Sequence, residues 1–66
     1  MEFTTHHTVS KDSVENIIAT FETTGHILYR TLHEDRVSYI LANETGGILI
    51  EDYNEGDTAD ICRFGK

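Results

Sequence analysis

The stretch HILYRTL-HED-RVSYILA-NETGG-ILIEDY, residues 26–53, decides the fold of this chain. Three runs rich in Ile, Leu, Val and Tyr are separated by short polar links. Side chains of that kind suit the pleated surface of a strand, and links of that length suit antiparallel hairpins. Residues 26–32 and 36–42 flank His33-Glu34-Asp35. Asn43-Glu44-Thr45-Gly46-Gly47 reads as a turn with two glycines available for positive φ. Residues 48–53 form a third strand, and Asn54-Glu55-Gly56-Asp57 turns it back toward residues 58–64, which alternate as a last one.

Upstream of the meander the period changes. Val14, Ile17, Ile18 and Phe21 recur at the spacing of one buried helical stripe, which predicts a helix over residues 11–24. Ser10 or Asp12 offers the N-cap, and Asp12 with Glu15 has the spacing of a capping box. Gly25 supplies a left-handed residue past the C-terminus. Residues 2–9 alternate with Phe3, Thr5, His7 and Val9 on one side, a thinly apolar pattern that predicts an edge strand. The whole is a single α+β domain over residues 1–66, with a single helix packed on a four- or five-stranded antiparallel sheet in the order β-α-β-β-β-β.

One helical stripe covers one sheet face. Ile27, Tyr29, Val37, Tyr39, Leu41, Ile48 and Ile50 are expected on that inner face, and Leu28, Leu32, Ile40, Leu49 and Ile61 on the other. An outer face open to water normally alternates to polar residues, and this one does not. The expectation is a dimer interface or a patch that grips a partner, unless bulges and twist return some of these side chains to the core.

Charge adds a second constraint. The formal net charge is −7, from 12 acids against 5 bases. Between residues 37 and 61 the chain carries Glu44, Glu51, Asp52, Glu55, Asp57 and Asp60 and neither Lys nor Arg. Such a field repels nucleic acid and attracts basic surfaces. Carboxylates spaced along strands imitate a phosphate array, although a charged surface also serves solubility alone. One cysteine, Cys62, excludes an internal disulfide. The N-terminal residues lack the basic and apolar regions of a leader, and no run approaches the length of a membrane span. A cytoplasmic protein is expected, in the host-cell cytoplasm if the source is viral.

No catalytic signature emerges. His6 and His7 are neighbours on a strand and point to opposite faces, so they do not converge on a metal. The segment from Asp52 has Asp57 at the sixth position and Arg63 at the twelfth, where a calcium loop needs Gly and Glu. Glu51 and Asp52 also face opposite ways, and Cys62 has no placed histidine beside it. No catalytic residue, metal site or cofactor is expected, and the chain is read as a non-enzyme.

The meander resembles the phage-encoded uracil-DNA glycosylase inhibitor family. The resemblance rests on His26-Ile-Leu-Tyr-Arg-Thr31, Arg36-Val-Ser-Tyr-Ile-Leu41 and Gly47-Ile-Leu-Ile-Glu-Asp52, followed by the acidic turn 54–57 and a short last strand. It implies an acidic DNA mimic whose Glu-Ser-apolar strand enters the enzyme's DNA cleft and whose sheet pockets an enzyme leucine. Here the first strand reads Glu2-Phe3-Thr4. The expectation is therefore an inhibitor that binds a protein with a basic, nucleic-acid-binding surface, without binding nucleic acid or membrane itself. Glu44, Glu51, Asp52, Glu55, Asp57 and Asp60 would supply the charge, and Leu28, Leu32, Ile40 and Leu49 the apolar contacts. The alternative is a structural homodimer or assembly subunit with no inhibitory role.

Overall fold

The computed structural model describes residues 2–65, with side chains from residue 6 onward. Strand β1 (Glu2–Ser10) leads through a 3-10 turn (Lys11–Ser13) into helix α1 (Val14–Thr23). Strands β2 (Ile27–Leu32), β3 (Arg36–Asn43), β4 (Gly46–Tyr53) and β5 (Thr58–Gly65) follow as a meander. The sheet has five strands in the order β1-β5-β4-β3-β2, and every neighbouring pair is antiparallel. The helix thus carries the chain from one edge of the sheet to the other, and β1 and β2 run in the same direction.

The helix begins later than the periodicity predicts. Ser10 caps the 3-10 turn by accepting the Asp12 N–H at 3.3 Å, while Ser13 caps α1 with no side-chain bond. The Asp12–Glu15 capping box does not form, because Asp12 is already inside the 3-10 turn. Gly25 ends the helix at φ 88°, in the region an L side chain enters only at a cost.

The register sorts the faces. Leu41 lies opposite Leu28 and Ile48, and Ile50 lies opposite Tyr39 and Ile61. The buried core is Val14, Leu41, Ile48, Ile50, Ala59 and Ile61, with Val9, Ile17, Ile18, Phe21, Leu28 and Tyr39 packed against it. The predicted helical stripe is the one that packs.

Two strands face opposite to expectation. Ile27 and Tyr29 lie on the sheet face away from the helix, whereas Leu28, Leu32 and Ile61 lie on the helix side. The three-residue link 33–35 pairs even positions of β2 with odd positions of β3, and β4 pairs with β5 in the same way. A shift of one residue reverses every side chain of a strand. Val37, Tyr39, Leu41, Ile48 and Ile50 face inward as expected, and Ile40 and Leu49 outward. In β1 the register slips between Phe3 and Thr5, and the side chains of those two lie outside the described residues. Gly46 takes φ 135°, but Gly47 does not have positive φ and serves another purpose. A Cβ there would run into the Leu41 carbonyl and the Ala42 Cα.

Candidate functional site: an acidic pole beside an open sheet face

Up-and-down connectivity determines which loops share an end. Ser10 and the 3-10 turn, the β2–β3 link and the β4–β5 turn all lie at one end of the sheet; the β3–β4 turn and Gly25 lie at the other. Hydrogen bonds tie the first group together. The Lys11 N–H donates to the Asp57 carbonyl at 2.8 Å, and the Asn54 N–H to the Asp35 carbonyl at 2.9 Å. Asn54 Nδ2 adds a bond to the Glu34 carbonyl at 3.0 Å.

These loops are where the carboxylates collect. Asp12, Glu34, Asp35, Glu55 and Asp57 are exposed on them, and Glu15 is exposed on the first turn of α1 beside them. Glu34, Asp35 and Glu55 line one concavity with Tyr53 and Asn54. Asp12, Glu15 and Asp52 line a second, together with Lys11 and Tyr39. The cations at this end, Lys11 and Arg36, are both engaged. Lys11 Nζ bridges to Asp52 Oδ1 at 2.8 Å and also donates to the Tyr53 carbonyl. Arg36 meets Glu51 through Nε at 2.7 Å and Asp35 through Nη1 at 2.9 Å. The hydrogen bond to Glu51, followed by that to Asp35, raises the Arg36 pKa above its ordinary value.

The open face begins at the pole. Glu51 accepts from Ser38 Oγ at 2.6 Å as well as from Arg36. Ser38 is buried, and His33 Nε2 lies 3.0 Å from the same hydroxyl. A hydroxyl has one hydrogen, and Ser38 gives it to Glu51, so His33 Nε2–H is the donor to Ser38. An activated serine has the reverse arrangement, with the imidazole accepting from the hydroxyl. The chain His33–Ser38–Glu51–Arg36 therefore orients a carboxylate. Asp60 lies directly opposite Glu51 on β5 and receives the Thr8 hydroxyl at 3.2 Å. Like charges so placed repel, and Arg36 and Ser38 offset that for Glu51.

Next to this polar row the register lines up Tyr29, Ile40, Leu49 and Cys62 across β2, β3, β4 and β5. Ile27 and Phe64 flank it in the adjoining row. Ile27 is 60% exposed, Tyr29 59% and Ile40 39%. This apolar strip faces away from the helix.

The residues expected to form the site are thus divided. Asp52, Glu55 and Asp57 belong to the pole, with Glu51 and Asp60 on the adjoining open face beside Ile40 and Leu49. Glu44 sits on the β3–β4 turn at the far end. Leu28 packs on the core and Leu32 is exposed on the helix side of β2. Asp12, Glu15, Glu34 and Asp35 complete the pole and lie outside the acidic window 37–61; what reveals them is the strand order, which stacks their loops together. No helix of the described residues is long and apolar enough to cross a membrane. Among those residues no group of three or more His, Cys, Asp or Glu is placed to hold a metal ion. Comparison with protein-family models, with curated proteins and with solved structures finds no match to this chain.

Proposed function

We propose that this chain is a small acidic protein-binding inhibitor, of the phage type, that blocks a nucleic-acid-handling enzyme by occupying its basic cleft. The observation that carries the reading is the acidic pole: exposed carboxylates from three loops and the helix start converge, while Lys11 and Arg36 are both committed to acids. A surface of one sign on a rigid support steers association with a surface of the other sign. The apolar strip with Ile40 and Leu49 adjoins the pole and supplies contacts that slow dissociation once charge has guided the encounter. Leu28, committed to the core, has no part in it.

The test begins with capture from host lysate at about 150 mM salt, where surface electrostatics act over only ~8 Å. The retained protein is then challenged with duplex DNA. The reading expects a nucleic-acid-binding enzyme that loses activity in the complex and is released by competing DNA. A retained partner that binds DNA and inhibitor simultaneously contradicts it.

A further inference from the structure

The two edges of the sheet are built differently. Strand β1 carries a register slip between Phe3 and Thr5, and His6, His7 and Thr8 are exposed along it. Bulges and polar side chains blunt an edge against further pairing. Strand β2 is less protected: its polar side chains are Arg30 and Thr31, and the rest are apolar or aromatic. Its pairing with β3 is unbroken from Ile27 to Leu32, it contains no proline, and Ile27, Tyr29 and Leu32 are exposed along it. Its free backbone groups can be assigned. His33 N–H donates to the Arg36 carbonyl, and antiparallel pairs alternate between bonded and unbonded, so Thr31, Tyr29 and Ile27 turn their groups toward β3. Leu28, Arg30 and Leu32 therefore direct N–H and C=O outward, with no strand of the described residues beside them.

We infer that β2 pairs with β2 of a second copy of this chain, joining two sheets into one across a two-fold axis. Charge on the molecule selects this occupant and this geometry. Residues 26–32 contain no carboxylate and one cation, Arg30, in a chain of net charge −7. This edge is where two copies approach with least repulsion, whereas stacking their open faces would bring the Glu51 and Asp60 rows together. Antiparallel pairing also places the two acidic poles at opposite ends of the assembly. A two-fold contact is self-complementary, and the register with Tyr29 opposite Tyr29 sets each Arg30 against the second copy's Leu28 rather than against another Arg30. A chain of 66 residues, with six buried apolar side chains among the described residues, also gains from association. The open faces of the two copies become one continuous surface.

Amide hydrogen exchange and sedimentation equilibrium of the purified protein test this together. The inference expects a mass twice the 7.5 kDa of one chain, with the outward amides of Leu28, Arg30 and Leu32 gaining protection as concentration rises. Arg30→Pro removes an outward N–H without touching the β2–β3 ladder. It should give a folded monomer. Tyr29→Glu, at an exposed position, places two carboxylates on the axis and should weaken association about tenfold or more. A monomer at all concentrations overturns the inference. So does a dimer in which the Arg30 amide stays unprotected, or one that forms as tightly in either folded variant as in the wild type.

Discussion

Ser38 shows how much a single polar side chain carries in this molecule. It is buried, it donates to Glu51 and it accepts from His33. Ser38→Ala leaves the carboxylate with Arg36 as its remaining side-chain donor and should cost about 1–2 kcal/mol in urea unfolding. An unchanged midpoint would show that the His33–Ser38–Glu51 chain is incidental. Arg36 yields a pH prediction. Its pKa is raised, first by the hydrogen bond to Glu51 and then by that to Asp35. A cation with a raised pKa contributes its stabilisation fully below its unfolded value and loses it only as pH climbs through the shifted one. The stability difference between wild type and Arg36→Gln should therefore stay flat from about pH 6 to about pH 9. A difference that declines across that range would contradict the assignment. In the core, Ile50→Ala empties a fully buried site between Tyr39 and Ile61 and should cost about 2–5 kcal/mol.

At the scale of elements, two glycines separate conformation from space. Gly25 has φ 88°, yet a methyl group there would meet open space, since nothing beyond the adjoining backbone lies within 4 Å of its Cβ position. Gly25→Ala should cost about 1 kcal/mol, the strain of a left-handed alanine. Gly47 has ordinary φ but no room, because the Leu41 carbonyl and the Ala42 Cα occupy the place of a Cβ. Gly47→Ala must move the β3–β4 backbone and should cost about 3 kcal/mol. Thermal melts that rank the two in the opposite order would contradict this division. The same hairpins explain what was legible in the residues alone. Val14, Ile17, Ile18 and Phe21 announce the helix because they recur every turn, and the turn residues mark the strand ends. Which face each strand presents was legible for Val37 through Ile50. It failed for Ile27, Tyr29, Leu28, Leu32 and Ile61, because alternation defines two faces per strand and only the hydrogen-bond register says which is inward.

For the whole molecule, charge along the chain differs from charge in space. A window over residues 37–61 groups Glu44 with Asp57, yet the strand between their turns sends them to opposite ends. It also omits Asp12, Glu15, Glu34 and Asp35, whose loops the topology stacks beside the β4–β5 turn. An eight-residue strand separates the two ends by roughly 25 Å, about three Debye lengths at physiological salt. Glu44 is therefore an internal control for the pole. The most direct test compares the double variant Glu55→Lys/Asp57→Lys with Glu44→Lys in titrations against the captured enzyme at two salt concentrations. All three side chains are exposed, and neither set contributes to the core. The account predicts that the double variant binds at least about tenfold more weakly and with a shallower salt dependence, while Glu44→Lys binds as wild type. Equal losses for the two, or none for the double variant, would contradict an acidic pole seated in a basic cleft.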